Sequence, residues 1–388
     1  MLILSLLVIS ISVLCLATVV AFYPLSLWLV SLVRKEQRKT PGVPVFPTVS
    51  VLVAVRNGEN LIAGKIENAL SCRYPKDKLE VVVYSDGSED RTEEVARTVA
   101  RRFERVRCFG SSKHQGKMHA LNEAFIRSTG EILVFTDADA VLHPLAAERL
   151  VSHFADPRIG GVCGQRTIGK DDAALKEAQS TYISFDSRIK RLESRLGSIT
   201  SNDGKVYAVR RELFQPIPPG VTDDLYVALC VVERGQRFVF DPEVLAFIHV
   251  PSRETTHELS RRRRIVSRSL RGIHMKRRLL NPLRFGFFSI GLFINKVLRR
   301  LIPVCLIAIL LSSAVLYAVT RETLALLLLA AQVGLYGLGL VRSLVKGPAR
   351  RLCSVIYYFT IGGYGTLLGI ADFLLHRVVS KWDPTKAQ

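Results

Sequence analysis

Residues 1–33 form one almost unbroken apolar run, nearly all Leu, Ile, Val, Ser and Ala, interrupted by Pro24. The run is longer than the roughly 20 residues that an α-helix needs to cross a bilayer. A cleaved signal peptide is the alternative reading. Against it, no basic stretch precedes the run, and the apolar region of such a peptide is only about 7–15 residues long. Arg34, Lys35, Arg38 and Lys39 follow at once, and an excess of basic residues marks the cytoplasmic side of a span. The segment reads as a signal anchor. Residues 301–319, 323–345 and 352–375 are three further membrane candidates. Only Thr320, Arg321 and Glu322 separate the first two, which predicts a tight hairpin, and Lys346, Arg350 and Arg351 then return the chain to the cytoplasm. The third segment contains Gly362, Gly363, Gly365 and Gly369, with Arg377 and Lys381 behind it. Counting spans sends the tail outside, whereas those charges favour inside; a re-entrant or interfacial course would reconcile the two.

A chain that is 48% hydrophobic and 23% charged must keep some stretches in lipid and others in water. Its formal charge of +20 calls for polyanionic neighbours, either nucleic acid or an anionic leaflet, and the adjoining membrane segments favour the leaflet. The seven cysteines are scattered, with no CxxC or Cys/His cluster, which argues against zinc and against a disulfide framework.

Between residues 48 and 250 the pattern becomes strand, helix, strand. Val49–Val55 is a β-branched run of the kind a buried parallel strand requires. Helical stretches are expected at 61–72, 93–103 and 117–127, and strands at 79–84, 106–109 and 131–135. Repeated βα units with right-handed crossovers build an open, mostly parallel sheet, which gathers ligands at the carboxyl ends of its strands.

Two acidic motifs fall at such ends. Asp137 and Asp139 stand two apart, so their side chains project to one face, where they repel unless a cation sits between them. Hard oxygen ligands suit Mg²⁺ or Mn²⁺ bridging to substrate phosphates; the alternative is a turn carrying two solvated acids. Asp86 lies in a Ser-Asp-Gly-Ser turn, which can accept hydrogen bonds from a base or ribose or can be an ordinary turn. Lys117 heads the next helix, where its charge and the helix N-terminus both favour phosphate, unless it is a solvated surface lysine. Thr222-Asp223-Asp224 opens an apolar helix, either as cap and first turn or as a source of a general base. Arg261–Arg264, Arg268 and Arg271, with Lys276, Arg277 and Arg278 behind them, form a basic helix suited to nucleic acid, to anionic lipid, or to a diphosphate.

Taken together these residues resemble the membrane-bound glycosyltransferase family 2 synthases of the GT-A fold, the branch with cellulose, hyaluronan and poly-N-acetylglucosamine synthases. The likeness runs from about Val49 to Arg300. Residues 51–59 look like the opening strand and PxYNE-type loop, with Ala54, Arg56 and Gly58 in place of Pro, Tyr and Glu. Ser85–Ser88 matches the nucleotide-binding turn, His114–Asn122 the GKxxALN segment, Asp137-Ala138-Asp139 the metal-binding DxD, and residues 191–214 the acceptor-side stretch. Thr222-Asp223-Asp224 stands where the TED motif is expected, and Arg261–Ile265 where (Q/R)xxRW is expected, with Ile265 in place of Trp.

The resemblance implies a Rossmann-like α/β GT-A domain at 49–250, preceded by an anchor (1–33) and a basic linker (34–48). Basic interfacial helices (251–300), membrane segments (301–376) and a tail (377–388) follow. It further implies inverting transfer from a UDP-sugar to a growing polysaccharide, with the domain on the cytoplasmic face of a bacterial-type plasma membrane. Asp137 and Asp139 would hold Mg²⁺ or Mn²⁺; Asp86, Lys117, Asp137 and Arg264 would hold the donor. Asp224 would be the base, with Asp223, Arg261 and Asp203 toward the acceptor. Non-processive transfer to a lipid is the alternative, since Ile265 lacks the indole that helps hold a growing chain. A catalytically silent membrane scaffold and a nucleic-acid binder are the more remote readings.

Overall fold

The computed structural model describes residues 2–33, 46–168, 173–248, 255–341 and 344–377. The basic residues Arg34, Lys35, Arg38 and Lys39, and the tail beyond Arg377 with Lys381, lie outside the described residues. The chain gathers into two compact units, one within 1–29, 252–270 and 289–379, the other within 30–251 and 271–288.

The first unit opens with helices α1 (Leu2–Ala17) and α2 (Tyr23–Val33), joined through a π-helical turn at Thr18–Phe22. Pro24 accounts for that turn: it has no N–H to donate, and its ring crowds the carbonyl four residues back, at Val20.

The second unit is built on an eight-stranded sheet. Its strands are β1 (Val49–Val55), β2 (Leu79–Asp86), β3 (Val106–Ser111), β4 (Ile132–Thr136), β5 (Ala140–Leu142), β6 (Ile159–Ile168), β7 (Val206–Arg210) and β8 (Arg237–Ile248), in the order β3-β2-β1-β4-β7-β6-β8-β5. The pairs β3/β2, β2/β1, β1/β4 and β6/β8 are parallel; β7 and β5 run antiparallel to their neighbours. Every residue of β1 is buried, as a strand covered on both faces must be. Its helices are α3 (Glu59–Leu70), α4 (Thr92–Ala100), α5 (Lys117–Ile126), α6 (Ala146–Ser152), α7 (Ala173–Leu196) and α8 (Asp223–Glu233). Helix α3 shows why such helices dock: Ile62, Ile66 and Ala69 recur at helical spacing, are fully buried, and join Val51, Val53, Val81 and Val83 in one core. The expected strand at 79–84 runs on to Asp86, so this acid ends the strand itself.

Helix α9 (Thr255–Met275) leads through α10 (Pro282–Phe285) and α11 (Phe287–Leu292) to α12 (Ile302–Thr320), α13 (Thr323–Leu340) and α14 (Pro348–Leu374). Four helical stretches among the described residues are long and apolar enough to cross a membrane: Leu2–Val33, Phe287–Thr320, Thr323–Leu340 and Leu352–Leu374. Arg321, at φ 57°, ends α12 in the left-handed conformation and gives the tight turn expected before α13. The glycines of α14 also find a reason. A Cβ on Gly365 would stand 3.1 Å from the Leu259 carbonyl, and one on Gly369 2.7 Å from that of Arg263, so these positions let α9 lie close along α14. There Arg263 Nη2 donates to the buried Asp372 at 2.8 Å, the acid that interrupts this apolar helix.

Candidate active site

Because β1, β2 and β4 are parallel, their carboxyl ends share one edge: Val55 sits opposite Ser85, and Leu52 opposite Phe135. The expected site residues of the sheet domain collect here. Asp86 is buried, and its carboxylate accepts from the backbone N–H of Gln115 at 2.8 Å and of Gly116 at 2.7 Å, with His114 Nδ1 at 2.8 Å. It thereby pins the loop that starts α5. Gly87 permits the approach: its φ is 61°, and a Cβ there would come 2.4 Å from the His114 nitrogen.

Lys117, the first residue of α5, does not stand in solvent. Its Nζ donates to Asp137 Oδ1 at 2.8 Å and to Asp223 Oδ2 at 3.1 Å, tying the loop after β4 to the start of α8. Lys205 joins from another direction. Strand β7 runs antiparallel to β4 with Val206 opposite Thr136, so the residue before β7 arrives beside Asp137. Its ammonium lies 3.0 Å from Asp137 Oδ2 and 2.8 Å from Asp139 Oδ1, between the two carboxylates. Lys205 was not among the expected site residues. Its neighbourhood is marked, by the stretch 191–214 and by Asp203, but Lys205 itself is not, because the contact is made by the return of an antiparallel strand. Lys65 on α3 was also missed; it is buried and donates to Thr136 Oγ1 at 2.8 Å, directly beneath the acidic pair.

These contacts decide the charge states. Burial works to raise the Asp137 carboxyl, but Lys117 and Lys205 outweigh it and hold it well below the usual carboxylate range. Burial likewise works to lower both lysines; Asp137 and Asp223 keep Lys117 well above its ordinary value, and Asp137 with Asp139 raises Lys205. Lys65 lies mostly beyond such help, and burial lowers it to about 8.

At the start of α8, Asp223 is buried and engaged by Lys117, whereas Asp224 is half-buried. Thr222 takes the N-cap position but makes no side-chain capping bond, so the cluster does not do the cap's usual work through Thr222. Asp224 Oδ1 accepts from the Leu225 N–H at 2.7 Å, and Asn202 Nδ2 donates to the Asp224 carbonyl at 3.0 Å. The turn before β7 borders it, since a Cβ on Gly204 would stand 3.5 Å from Asp224 Oδ2. The Tyr207 hydroxyl is buried close by; burial first, then Asp223, Asp224 and Asp137, push its pKa well above the usual value. Asp203 is occupied within the same turn: it accepts from the Lys205 N–H at 3.3 Å and lies 3.4 Å from Arg166 Nε. Arg261 and Arg264 belong to the other unit, on α9, where Arg261 Nε donates to Glu258 at 2.9 Å.

Residues 50–217, which contain all the strand-end residues above, match the family described as glycosyl transferase family 2. This domain belongs to that family. Its fold is GT-A. The glycosyltransferase domain is 28% identical over 223 residues to the beta-monoglucosyldiacylglycerol synthase of Trichormus variabilis, covering 56% of this chain and 47% of that protein. It is 25% identical over 226 residues to the poly-beta-1,6-N-acetyl-D-glucosamine synthase of Staphylococcus epidermidis, covering 57% and 53%. The chain spans about half the length of these relatives. Among solved structures, the mannosyltransferase PcManGT from Pyrobaculum calidifontis, in complex with GDP-Man and Mn²⁺, shares the fold at a TM-score of 0.71 and 24% identity, covering 95% of this chain and 99% of that one.

Proposed function

We propose that the protein is a membrane-embedded glycosyltransferase that moves a sugar from a nucleoside-diphosphate donor, a UDP-sugar, to a polysaccharide or lipid hydroxyl at the cytoplasmic face. One observation carries this reading: the Lys117 ammonium joins the Asp137 carboxylate at a strand end to Asp223, next to Asp224, within 3.1 Å. A donor-diphosphate site and an acceptor-side base are thereby built into one charged network. The titles of the relatives supply the two acceptor classes, a polysaccharide and a diacylglycerol lipid. GDP-Man in the Pyrobaculum protein makes a guanosine donor the direct competitor to UDP.

In this reading Asp224 takes the proton of the acceptor hydroxyl as its oxygen attacks the anomeric carbon from the face opposite the diphosphate. The bond from that carbon to the diphosphate oxygen breaks with its electron pair, and configuration inverts. Lys117 and Lys205 lie where the leaving group's charge would develop, and fixed charges of this kind stabilise a departing diphosphate. Asp223 is held by the Lys117 ammonium at 3.1 Å, and the role of base is assigned to its neighbour Asp224. Asp86 acts on the donor pocket through the loop it pins.

A divalent ion fits the acidic pair. Asp137 and Asp139 already converge on a single cation, the Lys205 ammonium, and the Asp139 side chain is 55% exposed. Among the described residues no group of three or more His, Cys, Asp and Glu side chains could hold a metal. The two carboxylates would therefore hold Mg²⁺ or Mn²⁺ together with phosphate oxygens and water, the usual arrangement for ions of this class. When bound, the ion supplies charge neutralisation to the leaving diphosphate.

A lipid acceptor with single transfer is the second reading, favoured by Ile265, 38% exposed, at the position where the processive pattern has Trp. The deciding experiment is nucleotide release by the detergent-purified chain across a panel of UDP-sugars and GDP-mannose, with product length read on a gel. Absence of release with every donor would sink the proposal and favour the silent scaffold.

A further inference from the structure

The mechanism above uses Lys205 only as a positive charge near the leaving group, but its position is more particular than that. Its ammonium does not merely approach the acidic pair. It lies between the carboxylates, 2.8 Å from Asp139 Oδ1, 3.0 Å from Asp139 Oδ2 and 3.0 Å from Asp137 Oδ2. These carboxylate oxygens are the ones a divalent cation would draw on from the same two residues. Lys205 and a metal therefore compete for one position.

We propose that Lys205 is the chain's internal counter-cation for Asp137 and Asp139, so that a divalent ion enters this site only as its complex with the nucleotide diphosphate. The proposal rests on the donor-site reading of the acidic pair given above. Charge balance is the physical reason. Among the directly paired groups, Asp137, Asp139 and Asp223 oppose Lys117 and Lys205, an excess of one carboxylate. A bare divalent ion over-neutralises that charge and meets an ammonium already in place. A diphosphate arriving with the metal brings negative charge for both: it completes the metal's ligands and gives the displaced ammonium a new partner. Lysine suits the task, because its flexible stem lets one point charge swing between carboxylate and phosphate. Lys117 cannot take this part, since its two acceptors lie on different elements and fix it from both sides.

The cost to metal binding follows from occupancy. If the ammonium holds the position in about nine molecules of ten, the apparent affinity for free metal falls about tenfold. The test is Mn²⁺ binding to the full chain in detergent, followed by the loss of the free-ion electron paramagnetic resonance signal, with no sugar donor present. The wild-type protein should bind Mn²⁺ at least about tenfold more weakly without UDP than with it. Lys205→Met should remove most of that difference by tightening binding of Mn²⁺ alone about tenfold or more, and adding Asp139→Asn should abolish the gain. Lys205→Arg, which keeps the charge, should behave like wild type. Equal Mn²⁺ affinity in wild-type and Lys205→Met proteins without UDP would overturn the proposal. So would wild-type binding of Mn²⁺ that is indifferent to both UDP and GDP, a measurement that needs no variant to fold. Neither readout involves sugar transfer, and repeating the nucleotide arm with GDP separates a wrong nucleotide assignment from failure of the proposal.

Discussion

Substituting Asp224→Asn separates a catalytic carboxylate from a structural one. Asp224 Oδ1 accepts from the Leu225 N–H at 2.7 Å, and an asparagine Oδ1 can accept that bond equally well. The Asn202 bond goes to the Asp224 backbone carbonyl and survives any side-chain change. Stability should therefore fall by less than the ~1 kcal/mol typical of a lost helix cap. Loss of a general base costs far more in rate, ~10²–10⁴-fold, equivalent to about 2.7–5.5 kcal/mol of transition-state stabilisation. Asp223→Asn provides the contrast. It removes one of the two carboxylate partners of a Lys117 ammonium whose side chain is only 16% exposed, so it should lower the melting temperature and weaken donor binding. The assay pairs initial rates of nucleotide release with UDP titration and thermal unfolding of the same preparations. Asp224→Asn should leave UDP affinity and melting temperature near parental and cut the turnover number at least a hundredfold, roughly. A near-parental turnover would refute the assignment and pass the role of base to Asp223.

Asp139→Asn should eliminate transfer while leaving the fold intact, and excess EDTA should do the same to the wild type; full turnover in EDTA would remove the metal from the mechanism. Gly87→Ala should destabilise the protein by roughly 1–3 kcal/mol in denaturant melts, because its positive φ and the 2.4 Å approach to the His114 nitrogen leave no room for a methyl group; an unchanged midpoint would show that the loop yields freely. A cysteine replacing the exposed Glu93 should resist an impermeant thiol reagent in intact cells, and labelling from outside would reverse the proposed orientation.

Sequence alone determined the architecture, and the reason is periodicity and solvent. A strand covered on both faces must be apolar throughout, so Val49–Val55 could be recognised without any partner in view. Long runs of apolar residues marked, in the same way, helices long and apolar enough to cross a membrane. The strand-end positions of Asp86, Asp137 and Asp139 followed from the alternation of strands and helices, since parallel connections place successive carboxyl ends on one edge. Partners of the site residues were another matter. That Asp86 would hold its own chain's Gln115 and Gly116, that Lys117 would reach Asp223, 106 residues away, and join it to Asp137, and that Gly365 and Gly369 would seat α9 are facts of distance in space. Lys205 is the clearest case. Its neighbours in sequence are a turn and a strand, and only the antiparallel return of β7 against β4 delivers its ammonium to the acidic pair. Local pattern fixes which elements form because each element must bury its own apolar face. Which charges meet is decided by strand order, and strand order is a property of the whole sheet.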